Sequence, residues 1–161
     1  MVESAAQARR LADLIHYPPL GRRGSAFSTR AAGYGAFGGA GHTQRSNEGI
    51  AFIAMIETPE AIAAAAEIAA VDGVDAVFIG PNDLAHAMGH GSDWNAEPVQ
   101  RAIEQGLRAI AAAGKCAGII ALTPADEEKY GALGARYFAN VSTSIITRAL
   151  AQAASAGRAR S

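Results

Sequence analysis

The sequence has little cysteine, few aromatic residues, no excess of either charge and no long apolar run. The single Cys116 cannot form an internal disulfide, and no stretch approaches the ~20 apolar residues of a membrane helix, so we expect a cytoplasmic protein without a membrane partner. The 14 Lys+Arg residues against 15 Asp+Glu give a net charge of −1, and the basic residues are scattered. This charge pattern makes nucleic acid an unexpected partner. Because 50% of the residues are apolar, a folded domain is expected rather than a disordered chain.

Four apolar runs, each followed by a helical pattern, make up the chain from residue 50 onward. The apolar runs are typical of strands buried on both faces, and they cover residues 50–56, 74–80, 116–122 and 135–141. The helical patterns cover residues 58–70, 97–113, 123–133 and 144–154. Short connections between strands of this kind predict a parallel sheet with right-handed helical crossovers.

The first third of the chain lacks a strand pattern. Residues 4–16 have helical spacing with Ser4 as a candidate N-cap, and Tyr17-Pro18-Pro19 ends the helix. Residues 20–49 show no periodicity and predict a long irregular excursion. A TIM barrel needs eight strands, whereas this chain offers four strand-helix units. We therefore predict an α/β fold, a partial (β/α)8 barrel with about its last four units, in one N-terminally truncated domain over residues 1–161.

A glycine pattern within the excursion matches the dinucleotide fingerprint G-x-G-x-x-G. It runs from Gly33 to Gly38, and Glu57 follows about twenty residues later, as the fingerprint requires. The fingerprint also needs a strand before the glycines and a helix opening on them. Residues 39–44 have no helical period, so this segment predicts a flexible loop rather than a nucleotide site.

Two acidic residues, Glu57 and Asp83, each follow the carboxyl end of an apolar run and lie 26 residues apart, which is one strand-helix unit. Because neighbouring strands are about 4.8 Å apart, both carboxylates can reach one hard cation such as Mg²⁺ or Mn²⁺. The alternative is that each acid only satisfies amides of the helix that follows. The segment Asn82-Asp83-Leu84, preceded by Gly80-Pro81, predicts a turn whose N–H groups face the same point and can hold a carboxylate or phosphate.

Other polar residues give weaker signals. His86 and His90 have the i, i+4 spacing of a zinc pair, but no acidic third ligand is placed for it, so loop histidines are expected. Arg22, Arg23 and Arg30 lie near glycines, where they can grip an anion or bond loop carbonyls.

The third apolar run contains two residues, Cys116 and Ile120, for which different surroundings are expected. Cys116 is expected to be a buried small apolar residue. Ile120 lies near the carboxyl end of the run and either lines a pocket or packs in the core.

Several motifs together resemble the HpcH/HpaI aldolase family, the metal-dependent class II pyruvate aldolases. The resemblance covers nearly the whole chain and rests on Tyr17-Pro18-Pro19-x-Gly21-x-Arg23-Gly24, Ile56-Glu57-Thr58, Val74-Asp75-x-Val77-Phe78-Ile79-Gly80-Pro81-x-Asp83-Leu84 and Gly114-Lys115-x-x-Gly118-Ile119. The combination of the Gly-Pro-x-Asp-Leu segment with the preceding Ile-Glu is specific, although neither part is specific alone.

The resemblance implies a TIM-barrel lyase that cleaves 4-hydroxy-2-oxo acids to pyruvate and an aldehyde. It implies that Glu57 and Asp83 are the protein ligands of a divalent cation, Mg²⁺ or Mn²⁺ with Co²⁺ as an alternative. The backbone amides of Asn82 and Asp83 would hold the pyruvate carboxylate, and Ile120 would be an apolar pocket residue. A metal-dependent mechanism needs no Schiff-base lysine, which agrees with the presence of only two lysines. The family also suggests a homo-oligomer.

Two departures from the family pattern limit what the resemblance implies. Met55 stands where these aldolases usually carry a glutamine, so a polar contact in the substrate pocket is missing. The family's arginine and its histidine–aspartate base lie on earlier barrel strands, so no catalytic residue is identified in this chain, and we expect the chain alone to be inactive. The alternatives are a non-catalytic remnant or accessory chain that binds metal or a 2-oxo acid, and a citrate-lyase-like acyl-CoA lyase relative.

Overall fold

The computed structural model describes residues 1–158, which form a four-stranded parallel sheet with helices packed on one face. The strands lie in the order β1-β2-β3-β4. They comprise β1 (Ile53–Ile56), β2 (Ala76–Ile79), β3 (Cys116–Ile120) and β4 (Ala135–Ala139). The helices are α1 (Ala5–Ile15), α2 (Ala40–Gly49), α3 (Pro59–Ala63), α4 (Ala65–Ala69), α5 (Pro81–Ala87), α6 (Glu97–Ala112), α7 (Pro124–Gly131) and α8 (Ser142–Arg158), with a 3-10 helix over Arg30–Gly35.

Each neighbouring pair of strands is parallel and connected through helices, as the alternating pattern predicts. Ile56 of β1 pairs with Ile79 of β2, which pairs with Ile119 of β3. The strands are shorter than the apolar runs, whose ends lie outside the paired segments. None of the helices over residues 1–158 is long and apolar enough to cross a membrane.

The core lies on the helix-covered face of the sheet. Ala54, Ile56, Val77, Ile79 and Ile119 are fully buried there. They belong to one hydrophobic cluster together with residues of α4 and α6, which include Ile68, Ile103, Leu107 and Ile110. Burial of these aliphatic side chains is the main stabilising contribution to this layer.

The opposite face of the sheet, which would be the interior of a closed barrel, is partly open to solvent. Ile53 and Met55 are each 43% exposed, and Tyr137 is 38% exposed. The prediction of strands buried on both faces is therefore wrong for β1 and β4, because nothing within residues 1–158 covers this side of them. Cys116 begins β3 on this face and is only half-buried, which corrects its expected full burial.

Gly118 allows two aromatic rings to pack across this open face. Phe78 and Tyr137 contact each other edge to face, with ring centroids 5.6 Å apart. A Cβ atom at residue 118 would lie 2.7 Å from the Tyr137 ring and 2.8 Å from the Phe78 ring. A larger residue in β3 would thus separate the two rings.

The irregular excursion predicted for residues 20–49 is wrong over its last ten residues, where α2 forms. This helix is polar nearly throughout and buries only His42 of its residues, which is why its sequence shows no apolar period. The His42 ring packs edge to face against Tyr17 and Phe27. Asn47 also anchors the helix, because its side chain accepts from the Tyr17 amide and donates to the Tyr17 carbonyl.

Side-chain hydroxyls cap the first turn of three helices, and the one at Ser4 confirms the prediction. The hydroxyls of Ser4, Thr58 and Thr123 each accept a hydrogen bond from an amide of the first turn of the helix that follows. The helix predicted over 58–70 is instead two short helices, α3 and α4, because the backbone of Ala64 departs from helical geometry.

Candidate active site

Glu57 lies at the carboxyl end of β1 and is buried, with 8% of its surface exposed. Side chains alternate along a strand, so Glu57 shares the open face with Met55. Gly80, at the end of β2, leaves room for it. A Cβ atom at residue 80 would lie 2.4 Å from Glu57 Oε2 and 3.1 Å from Glu57 Cβ. The glycine therefore allows the carboxylate to lie across the end of the neighbouring strand.

Asp83 is in the first turn of α5, directly after β2, and its carboxyl group is close to that of Glu57. Burial raises the pKa of Glu57, and the negative charge of Asp83 and a hydrogen bond between the two carboxyl groups raise it further. The positive amino terminus of Met1 lowers the Glu57 pKa by a smaller amount. The carboxyl groups of the two acids thus lie near enough for the charge of Asp83 to act on Glu57.

The segment after β2 is the start of α5 rather than the isolated turn predicted for Asn82-Asp83-Leu84. Pro81 has no N–H, and the Leu84 amide donates to the Gly80 carbonyl at 3.1 Å. The amides of Asn82 and Asp83 donate to no acceptor in the part of the chain that the structure describes. Two backbone donors are therefore available next to the carboxyl pair.

The predicted pocket residues lie at the same rim. Ile120 is half-buried and follows Ile119, the partner of Ile79, so it lies beside Gly80 one residue beyond the paired register. It lines a cleft of about 410 Å³. Met55 lies on the open face of β1, two residues before Glu57.

The histidines do not complete a metal centre. Gly89, with φ +81°, ends the helical turn between His86 and His90. Across residues 1–158, no cluster of three or more histidine, cysteine, aspartate or glutamate side chains can hold a metal ion. Any cation here would have two protein carboxylates as its ligands.

Sequence reasoning missed two features of this rim. The Val2 amide donates to the Met55 carbonyl at 2.7 Å, so the first residues lie along β1. The 410 Å³ cleft beside Ile120 is lined by Trp94 and Asn95 of the loop before α6 and by Arg148 of α8. The only signal for that loop was a tryptophan within a polar, glycine-rich segment.

The family model described as HpcH/HpaI aldolase/citrate lyase matches residues 1–147. The chain belongs to this family. It is 45% identical over 140 residues to a hydroxypyruvate/pyruvate aldolase of Delftia acidovorans, an alignment that covers 86% of this chain and 51% of the relative. It is 41% identical over 152 residues to a 2-keto-3-deoxy-L-rhamnonate aldolase of Klebsiella pneumoniae, which covers 93% of this chain and 56% of the relative. The chain thus spans about half the length of these curated relatives.

Solved structures of the HpcH/HpaI family share the fold. A family protein from Burkholderia cenocepacia superposes with a TM-score of 0.89 at 32% identity, over 98% of this chain and 63% of that one. An HpcH/HpaI aldolase from Desulfitobacterium hafniense gives a TM-score of 0.77 at 28% identity, over 96% of this chain and 60% of that one. The four parallel strand-helix units are thus a partial TIM-barrel-like aldolase fold, as the sequence predicts.

Proposed function

We propose that this chain supplies the metal- and pyruvate-binding part of an aldolase that cleaves 4-hydroxy-2-oxo acids to pyruvate and an aldehyde. The observation that carries the proposal is the pair of carboxyl groups of Glu57 and Asp83, brought together over Gly80 at the carboxyl rim of the sheet. In parallel α/β folds, this rim is where binding and catalytic groups gather.

The donor set fits a hard divalent cation, Mg²⁺ or Mn²⁺, with Co²⁺ as an alternative. Such ions are commonly held by one or two carboxylates and complete their coordination with water and substrate oxygens. Burial raises the pKa of Glu57 most, the negative charge of Asp83 raises it further, and the smaller effect of the Met1 amino terminus leaves the pair without a full positive counter-charge. A bound cation would supply that charge and act as a Lewis acid toward the keto oxygen of the substrate.

The residues around the pair suit a 2-oxo acid. The amides of Asn82 and Asp83 are unpaired donors, which can bind the substrate carboxylate. Ile120 would bound the pocket on the side of β3. Met55 offers only a weak thioether acceptor where the aldolases usually have a glutamine, so we propose a substrate that does not rely on an amide contact there.

Cleavage also needs a base for the proton of the 4-hydroxyl group and a donor that stabilises negative charge on the keto oxygen. The family resemblance assigns these roles to an arginine and a histidine–aspartate pair on strands that this chain does not match. We therefore propose that the 161 residues bind metal and 2-oxo acid but do not turn over the substrate alone. A cytoplasmic homo-oligomer is part of the same proposal.

The test is calorimetric titration of the chain with Mn²⁺, then with pyruvate in saturating Mn²⁺. We expect binding of both by the wild-type chain and loss of Mn²⁺ binding in Glu57→Ala and Asp83→Ala, with Glu60→Ala, an exposed acid on α3, as the matched control. Unchanged Mn²⁺ affinity in Glu57→Ala would refute the site. Binding of coenzyme A but not pyruvate would instead favour an acyl-CoA lyase relative, and binding of no ligand would favour a non-catalytic remnant.

A further inference from the structure

The cleft beside Ile120 is lined mostly by polar side chains. Three apolar residues, Trp94, Ile120 and Leu122, lie among six polar ones, which are Ser92, Asn95, Thr123, Asp126, Tyr130 and Arg148. A lining of this kind suits a ligand with several hydroxyl groups, because a hydroxyl group both donates and accepts hydrogen bonds. Of the lining residues, Ile120 alone belongs to the proposed metal and pyruvate site, so that site does not account for the rest of the cleft.

The walls of the cleft are held in place by hydrogen bonds within the chain. Gln100 Nε2 donates to the Trp94 carbonyl at 2.7 Å, which fixes the loop before α6. Arg148 Nη2 donates to the Leu122 carbonyl at 2.9 Å, and Asp126 accepts from the Leu122 amide at 3.1 Å. The cleft is thus formed without a ligand, which lowers the entropic cost of binding.

Several polar groups remain available to a ligand. The side chains of Ser92 and Asn95 make no hydrogen bond within the described part of the chain. Arg148 uses Nε on the Ser144 carbonyl and Nη2 on the Leu122 carbonyl, so Nη1 is left over. Asp126 also lines the cleft, so the lining carries one positive and one negative side chain. A lining without net charge favours a ligand with hydroxyl groups over a ligand with a second carboxylate.

We propose that this cleft binds an uncharged, hydroxyl-bearing tail of the substrate, the part released as the aldehyde, and that Asn95 determines specificity for it. The inference rests on the proposed function, because it places the 2-oxo acid end at Glu57 and Asp83. The distance from Glu57 at β1 to Ile120 on β3, across Gly80 at β2, is two strand spacings, roughly 10 Å. A sugar-acid chain bound at the carboxyl pair can extend over that distance into the cleft.

Ligand binding in the cleft can be followed by fluorescence, because Trp94 lines the cleft and is the only tryptophan of the sequence. The experiment measures affinity by calorimetry and tryptophan fluorescence in parallel, in saturating Mg²⁺. The ligands are pyruvate, which has no tail, a 3-deoxy-2-oxo sugar acid, which has a hydroxylated tail, and 2-oxoglutarate, which has a charged tail. The proteins are wild type, Asn95→Ala and the control Gln105→Ala, which removes an exposed amide from α6.

We expect the sugar acid to change the Trp94 fluorescence and pyruvate to leave it nearly unchanged. Asn95→Ala should weaken the affinity for the sugar acid by about threefold to tenfold, because one hydrogen bond is lost. The affinity for pyruvate should stay unaltered. Gln105→Ala should behave as wild type with both ligands.

Two results would overturn the assignment while leaving the proposed function intact. One is pyruvate binding together with equal sugar-acid affinity in wild type and Asn95→Ala. The other is tighter binding of 2-oxoglutarate than of the sugar acid, which would mean that the cleft selects a charged tail. Failure of pyruvate itself to bind would refute the proposed function and this inference together.

Discussion

Glu57 occupies the space that any side chain at residue 80 would need. The position of a Cβ atom on Gly80 is 2.4 Å from Glu57 Oε2, well inside van der Waals contact. The close approach brings the Glu57 carboxyl group to the end of β2, where α5 starts and carries Asp83. A missing side chain on one strand thus determines where the acid of its neighbour can lie.

Gly80→Ala should therefore push the Glu57 side chain out of its position. Overpacking of a buried site typically costs about 1–3 kcal/mol, so we expect a loss of unfolding free energy of that size and weaker Mn²⁺ binding. Urea denaturation and Mn²⁺ calorimetry measure the two effects. Gly49→Ala is the matched control, because a Cβ atom there meets nothing within 4 Å. Wild-type Mn²⁺ affinity in Gly80→Ala would show that Glu57 does not bind the ion from this position.

Glu57→Gln should change how the stability of the metal-free protein depends on pH. Since the folded pKa of Glu57 is raised, its protonated form is the one that stabilises the fold, and that contribution is lost as pH rises through the folded pKa. Glutamine stays uncharged at every pH. We expect a higher free energy of unfolding than wild type at pH 7 without metal, and no gain below the ordinary carboxyl pKa of about 4.

Urea denaturation at both pH values tests this expectation, with Glu60→Gln as the exposed control. Adding Mn²⁺ should stabilise the wild type and leave Glu57→Gln unchanged, because a ligand that binds only the folded state raises its stability. Lower stability of Glu57→Gln at pH 7 would contradict the assigned direction of the pKa shift.

Met55→Gln should restore the polar contact that the aldolases usually have near the metal-binding glutamate. An amide both donates and accepts, whereas a thioether is only a weak acceptor. In a full-length barrel that contains this segment, we expect higher turnover of 4-hydroxy-2-oxo acids, measured by pyruvate release. Ile53→Gln, on the same face of β1 but further from Glu57, serves as the control. No change or a loss of turnover in Met55→Gln would argue against a direct pocket role.

The 161-residue chain should show no appreciable aldolase activity even with Mn²⁺ or Mg²⁺. General acid–base catalysis typically contributes 10²–10⁴-fold, and one charge-stabilising donor roughly another 10²–10³-fold. We assign both groups to strands outside the matched segment. A pyruvate-release assay with a 4-hydroxy-2-oxo acid measures the activity, and robust metal-dependent turnover would show that this chain carries its own catalytic groups.

The chain should also self-associate. Ile53, Met55 and Tyr137 are exposed on the open face of the sheet, and Ile145 and Leu150 are exposed on α8. Contiguous exposed apolar surface and open strand edges favour association. Size-exclusion chromatography with light scattering should detect a dimer or larger species, and Met55→Lys should shift it toward monomer. A monodisperse wild-type monomer at high concentration would contradict the expectation.

The sequence by itself determined the order of the elements and the residues at the rim. Apolar runs of strand length that alternate with helices pack as a parallel sheet with crossover helices. The fold therefore follows from local sequence patterns. The same patterns place Glu57 and Asp83 after neighbouring strands. Their convergence was predictable because parallel strands end at a common edge.

Only the tertiary structure decided how the two acids share that edge. The room beside Gly80, the burial that raises the pKa of Glu57 and the cleft at Trp94 all depend on side chains distant in sequence, which local patterns do not encode. Helix α2 was missed for the same reason, since the contacts of His42 and Asn47 with Tyr17 stabilise it rather than an apolar period. The sequence pattern also could not predict the exposure of Met55, because an apolar strand has the same sequence whether or not its second face is covered.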